Sequence, residues 1–144
     1  MSDAERLQAF FGRMKELELD YVLVYFSGIQ SFLEPNLVFL LSDFRSIGES
    51  LLVLGADGTS TLLVTPSWDA PRAKRRAVCD RVVAADDLAG AWKDLFAGSI
   101  QPSDRVGLLG ARGIRQRLRA VFAPYLGEHG AANLEDRFRD LMEL

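Results

Sequence analysis

Residues 38–64, VFLLSDFRSIGESLLVLGADGTSTLLV, are the most distinctive stretch of this chain and decide its fold class. They contain two apolar runs, residues 49–54 and residues 61–64, and such runs of Leu and Val are typical of buried strands. Asp57-Gly58 lies between the runs, and glycine accepts the positive φ that a tight hairpin turn needs. Pro66 then ends regular pairing, because proline lacks the N–H that a sheet requires. We therefore predict two antiparallel strands joined by a hairpin.

Helical and strand patterns alternate on both sides of this hairpin, which favours one α/β domain over residues 1–144. Residues 21–26, YVLVYF, are apolar throughout, as in a strand covered by helices on both faces. Residues 29–41 are ambiguous because Pro35 divides two apolar pieces. The other predicted elements are a helix capped by Ser2 or Asp3, a helix over 68–77 with Ser67 as its N-cap, a strand at 81–84, a helix from Asp86 or Asp87 to about Phe96, a strand at 104–109, a basic helix over 114–125 interrupted by Pro124, and a helix start at 134–144.

Composition narrows the class of protein. Of the 144 residues, 49% are hydrophobic, which is enough to build a buried core. The net charge of -3 argues against a general affinity for nucleic acid or anionic membranes. The single cysteine cannot form an internal disulfide, the N-terminus is unlike a signal peptide, and no apolar run is long enough to cross a membrane. We expect a soluble cytoplasmic protein that binds neither nucleic acid nor a membrane.

A glycine-rich turn is the first candidate for chemistry. Gly107, Gly110 and Gly113 join a strand to a helix, and Arg112 and Arg115 beside them leave open a site for a small anion. The spacing matches neither the dinucleotide fingerprint nor a P-loop. Tight glycine turns and a solvated basic helix face are the simpler interpretation.

Single reactive side chains do not form a catalytic set in this sequence. Cys79 lies in AVCDRVV, between a helix and a strand, and fits a buried structural thiol. His129 has no histidine or cysteine companion nearby, whereas a metal site needs several ligands. We predict no catalytic residue and no metal ligand in this chain.

A series of short motifs runs along nearly the whole chain in one order. It comprises Arg6, Leu7 and Met14, residues 17–24 (LELDYVLV), Asn36 followed by residues 40–44 (LLSDF), the hairpin, Pro71-Arg72-Ala73, residues 105–108 (RVGL) and residues 134–144. In order and spacing this series resembles the N-terminal domain of the creatinase, prolidase and aminopeptidase P family, the "pita-bread" metallopeptidases. Asp43 stands where that family usually has glycine, and Leu40 where it usually has tyrosine. Aspartate tolerates unusual backbone angles better than most residues, so we expect the fold to survive the first change.

The resemblance implies a three-layer α/β/α unit with a mixed sheet, similar to the ribonuclease H fold. Such a domain is non-catalytic, supports a homodimer and forms one wall of the substrate pocket. The family's divalent metal ions, Mn, Co or Zn, belong to a C-terminal catalytic domain that is absent here, so that domain and a second copy are the expected partners. A helix pattern that stops at residue 144 favours a fragment of a longer enzyme. Xaa-Pro peptides, creatine and ectoine-type substrates are not separated by this sequence.

The resemblance also implies two substrate-binding residues, Phe44 and Arg45. An arginine can pair with a substrate carboxylate through two hydrogen bonds, and an aromatic ring can pack on a proline-like ring. The alternative is that Phe44 fills the core and Arg45 is solvated. Two other function classes stay open. One is an assembly module that acts through apolar residues within 29–41, and the other is a stand-alone domain that binds a small anion at residues 107–113.

Overall fold

The structure, a computed structural model, describes residues 2–29, 35–96, 98–111, 113–126 and 134–142. Within these residues, helices and strands alternate along the chain. The elements are α1 (Asp3–Glu16), β1 (Tyr21–Phe26), α2 (Leu37–Ser42), β2 (Ser50–Gly55), β3 (Ser60–Val64), a 3-10 turn (Ser67–Asp69), α3 (Ala70–Arg76), β4 (Arg81–Ala84), α4 (Leu88–Phe96), β5 (Val106–Leu109), α5 (Gln116–Leu126) and α6 (Leu134–Met142).

The five described strands form one mixed sheet in the order β4-β3-β2-β1-β5. The strands β2 and β3 pair antiparallel around the predicted hairpin, where Gly58 has φ 89° and Asp57 accepts a hydrogen bond from the Thr59 hydroxyl at 2.7 Å. The strand β1 pairs antiparallel with β2 and parallel with β5, while β3 pairs parallel with β4. The predicted antiparallel hairpin is therefore confirmed, and its first strand, β2, is the central strand of the sheet.

Alternate residues of each central strand face opposite layers of helices. On β1, Val22 and Val24 join a core with α1, α2, α3 and α6, while Leu23 and Tyr25 join a core with α4 and α5. This two-sided burial explains why the strand sequence is apolar at successive positions. The predicted three-layer α/β/α architecture with a mixed sheet is confirmed.

Two helix predictions need correction. Ser67 does not cap a helix over residues 68–77, because Ser67–Asp69 forms a 3-10 turn and α3 begins only at Ala70. Pro71 therefore falls in the first turn, where its missing N–H has no helical acceptor to lose. Pro124 was predicted to interrupt the basic helix, yet it lies inside α5. Packing of this helix on the sheet outweighs one missing hydrogen bond.

The ambiguous segment before the hairpin contains a short helix. Residues 30–34 lie outside the described residues, and α2 follows them after Pro35. Asn36 is its N-cap, since the Asn36 side chain accepts a hydrogen bond from the Phe39 N–H at 3.0 Å. At the other end, Asp43 adopts the left-handed conformation with φ 60° and its N–H donates to the Phe39 carbonyl at 2.8 Å. The sequence argument that Asp43 can replace a family glycine agrees with this geometry.

Candidate functional site

Four of the described strands end at the same edge of the sheet. The strands β1, β3, β4 and β5 run in one direction and β2 runs against them, so the carboxyl ends of four strands lie beside the amino end of β2. We call this side of the sheet the carboxyl edge. In α/β proteins, ligands bind in crevices outside the carboxyl ends of strands. The loops at this edge are therefore the first place to examine for a site.

Three of these loops pack tightly against one another. A Cβ added at Gly28, where φ is 89°, would lie 2.9 Å from the carbonyl carbon of Gly48. A Cβ added at Gly48 would lie 2.7 Å from the carbonyl oxygen of Thr65. The Thr65 hydroxyl in turn donates to the carbonyl of Glu49 at 2.5 Å. The loop of residues 43–49 is therefore fastened to the edge at its carboxyl end.

The structure gives Phe44 and Arg45, the two predicted substrate-binding residues, opposite surroundings. Phe44 is 1% exposed and belongs to the core beneath α1 and α2. Arg45 is exposed, and its guanidinium carbon lies 3.9 Å from the centre of the Phe39 ring, within the range of a cation–π contact. Of the pair, only Arg45 is placed to reach another molecule directly. Substrate contact by either residue stays a prediction.

A salt bridge on α3 reaches the same loop. Arg72 donates to both carboxylate oxygens of Asp69, at 2.8 and 2.7 Å, and Asp69 is only 3% exposed. Arg72 Nη2 also donates to the carbonyl of Arg45 at 2.8 Å, and the Arg72 guanidinium carbon lies 4.4 Å from the centre of the Phe44 ring. Hydrogen bonding to Asp69 raises the pKa of Arg72. Sequence reasoning noted Arg72 only as a motif residue. The Asp-x-x-Arg spacing, which places both side chains on one helical face, was the available signal.

Exposed apolar side chains gather at the carboxyl edge. Among the described residues, four large hydrophobic side chains are exposed, and three of them lie on loops at this edge: Ile29 (77%), Ile47 (57%) and Trp68 (68%). Ile29 directly follows Gly28, and Ile47 directly precedes Gly48. Because these two glycines pack against each other, the loops that carry Ile29 and Ile47 are in contact. We call these three residues and Arg45 the edge surface. Clustered exposed apolar residues are more typical of interaction sites than isolated ones.

A polar cavity of about 280 Å³ opens on the α4 and α5 side of the same edge. Glu49, which lines this cavity, accepts a hydrogen bond from the buried Tyr25 hydroxyl at 2.5 Å, and burial together with Glu49 raises the pKa of Tyr25. Arg115 Nε lies 4.0 Å from the same Glu49 oxygen, and Arg117 donates to Asp87 at 2.8 Å. The cavity charges are largely paired with one another. No sequence pattern signals the Tyr25–Glu49 contact, because 24 residues separate the two.

The glycine-rich turn is explained by close packing. Gly110, with φ 73°, has no room for a Cβ because the carbonyl of Tyr25 is too close, and a Cβ at Gly107 would collide with Leu134. The Gly110 N–H donates to the Glu135 carboxylate at 3.0 Å, so this amide already has an acidic partner. Arg112 and His129 lie outside the described residues. Anion binding at residues 107–113 stays an alternative.

Cys79 is the remaining reactive side chain singled out by the sequence. Cys79 is partly buried, and burial raises the pKa of its thiol. A raised pKa keeps a thiol protonated at neutral pH and lowers its reactivity. Across the described ranges, no group of three or more His, Cys, Asp or Glu residues is arranged to hold a metal ion. None of the helices in those ranges has the length and apolar character needed to cross a membrane.

Comparison with solved structures shows which known proteins share this fold. The chain matches a Creatine_N superfamily domain of a dipeptidase from Streptococcus thermophilus with TM-score 0.67 and 15% identity, over 94% of this chain and 97% of that chain. It matches the aminopeptidase P, Xaa-Pro aminopeptidase, from the same organism with TM-score 0.66 and 17% identity, over 95% and 98%. For the prolidase from Pyrococcus furiosus the values are 0.63 and 18%, over 96% of this chain but only 37% of that chain.

Neither a protein-family model nor a curated protein sequence matches this chain. At identities of 15–18% the structural matches establish the fold. The chain therefore has the fold of creatinase/prolidase-type N-terminal domains, and the resemblance inferred from its motifs is confirmed at that level. It spans about a third of the Pyrococcus furiosus prolidase chain.

Proposed function

We propose that this chain is the non-catalytic N-terminal domain of an Xaa-Pro peptidase or creatinase-like metallohydrolase, where it supports dimerisation and forms a wall of the substrate pocket. The fold supports this assignment, because whole domains of dipeptidases and aminopeptidase P align with nearly the full chain. The much longer prolidase from Pyrococcus furiosus supports a further, catalytic domain in the complete protein. The divalent metal, Mn, Co or Zn, and its ligands are assigned to that catalytic domain.

The edge surface is the observation that carries the proposal. Its apolar members, Ile29, Ile47 and Trp68, lie on loops at the carboxyl edge, which is the side of the sheet where α/β proteins bind ligands. Covering this apolar area removes it from water, which favours contact with a second domain. Arg45 adds a positive charge to the same surface. An apolar surface with one arginine suits a substrate that combines a proline-like ring with a carboxylate.

Within this proposal, Phe44 and Arg45 have different roles. Arg45 pairs with the carboxylate of the substrate, because its guanidinium is exposed. Phe44 acts from the core, where its ring packs under Arg72 and supports the loop that carries Arg45. The difference in exposure between the two side chains supports this proposal of direct contact by Arg45 and indirect support by Phe44.

Arg45→Ala in the complete protein tests the substrate contact. Losing a charged hydrogen bond costs about 1.5–3 kcal/mol, so we expect KM for an Xaa-Pro dipeptide to rise about 10- to 100-fold. Steady-state kinetics measure this, and a kcat that changes less than KM would locate the loss in binding. Arg75→Ala is the matched control, because Arg75 is an exposed arginine on α3. Equal KM values for the Arg45 variant and the control would remove the proposed contact.

A further inference from the structure

Contacts at its start, its middle and its end are among those that hold the loop that carries Arg45. At its start, Asp43 closes α2 in the left-handed conformation. At its end, Glu49 is bound through its carbonyl by the Thr65 hydroxyl. Between these points, the carbonyl of Arg45 accepts the Arg72 guanidinium at 2.8 Å. Of the three contacts, only the middle one is made to the backbone of Arg45 itself.

Arg72 is fixed more firmly than an ordinary surface arginine. Both oxygens of the buried Asp69 carboxylate accept from it, and such fork-shaped pairing sets the plane of a guanidinium. Asp69 lies in the 3-10 turn that follows β3, so the buried partner of Arg72 is close to the end of a strand. The remaining N–H of Arg72 Nη2 and the guanidinium face are then directed at the loop, against the Arg45 carbonyl and the Phe44 ring.

We infer that Arg72, oriented by Asp69, is the positioning residue for Arg45 and thereby sets how well the proposed substrate pocket binds a carboxylate. The effect on substrate binding rests on the proposed function. The hold of Arg72 on the Arg45 backbone does not. Arg72 holds the Arg45 backbone, and Arg45 stacks its own guanidinium on Phe39 at 3.9 Å. A charged side chain whose backbone is fixed loses less freedom when it pairs with a ligand, so it binds the ligand more tightly.

Hydrogen exchange on the 144-residue chain tests the structural part. In Arg72→Ala we expect the peptide covering residues 43–49 to exchange about tenfold faster, because a segment with fewer contacts opens more often. Arg72→Lys should resemble Arg72→Ala, since an ammonium group cannot make the planar fork with Asp69. Arg75→Ala on the same helix is the control and should leave the peptide unchanged. If Arg72→Ala also leaves it unchanged, Arg72 does not hold the loop and the inference is overturned.

A double-mutant cycle in the complete protein tests the consequence. We expect Arg72→Ala to raise KM at least about threefold when Arg45 is present and to have no effect on KM in the Arg45→Ala background. An equal rise in both backgrounds would show a merely structural role and overturn the inference. If Arg45→Ala alone leaves KM unchanged, the proposed substrate contact fails, and the exchange result alone decides whether Arg72 holds the loop. Should Arg72→Ala not fold, Asp69→Asn releases the same fork with a side chain of nearly equal size.

Discussion

Asp43 shows how one residue's backbone conformation shapes the candidate site. It ends α2 with φ 60° and turns the chain into the loop of residues 43–49. Left-handed geometry costs most residues energy because the Cβ approaches the following carbonyl oxygen, whereas glycine pays no such cost. Aspartate is among the residues that tolerate the region best. The sequence change from the family's glycine is therefore a small one in conformational terms.

We expect Asp43→Gly to be more stable than Asp43→Ala by about 1 kcal/mol, because only the alanine variant keeps a Cβ in left-handed geometry. Urea unfolding of the two variants measures the difference in the free energy of unfolding. The matched control is Ala9→Gly in the middle of α1, where alanine should be the more stabilising residue because glycine is unfavourable inside a helix. An alanine variant as stable as the glycine variant would contradict the assigned conformation.

At the scale of elements, the carboxyl edge depends on how closely its loops approach. The contact of Gly28 with Gly48, and of Gly48 with Thr65, leaves no space for a side chain. Such contacts bring the ends of β1, β2 and β3 into one surface, although the loops are far apart in sequence. Close approach of the backbone thus requires glycine at residues 28 and 48, and at residue 110 beside the carbonyl of Tyr25.

We expect Gly48→Ala to lower the free energy of unfolding by about 1–3 kcal/mol, because the new Cβ would overlap the backbone of Thr65. Gly12→Ala provides the opposite case: Gly12 lies in α1 with open space around it, so the change should stabilise the chain by about 0.5–1 kcal/mol. Chemical denaturation compares the two. Equal effects of the same sign would show that the loops do not pack as described.

For the whole molecule, the edge surface is where the domain is proposed to meet the rest of its protein. Helices cover both faces of the sheet. The exposed apolar side chains of the edge surface lie instead on the loops at its carboxyl edge. Val78, the other exposed large apolar residue of the described chain, lies between α3 and β4, and its N–H donates to the carbonyl of Ser42 at the end of α2. It is exposed but is not part of the edge surface, so it provides an internal control for the proposed dimer.

We expect the double variant Ile47→Asp, Trp68→Asp to weaken dimerisation of the complete protein at least about tenfold, which corresponds to about 1.4 kcal/mol, because charges placed in an apolar interface lose their hydration. Sedimentation at several concentrations measures the dissociation constant. The control is Val78→Asp, which adds a charge at an exposed apolar residue outside the edge surface. If both proteins dimerise as the parent does, the edge surface is not part of the interface.

Local sequence patterns predict the alternation of helices and strands, the hairpin and the tolerance of Asp43, because apolar periodicity, turn residues and backbone preferences act over a few residues. They could not separate Phe44 from Arg45. The burial of Phe44, the hydrogen bond from Arg72 to the Arg45 carbonyl, and the placement of Ile47 and Trp68 on loops at one edge all follow from the folded sheet. These facts depend on contacts between residues 20 or more positions apart, and such contacts exist only once the sheet has brought the loops to a common edge.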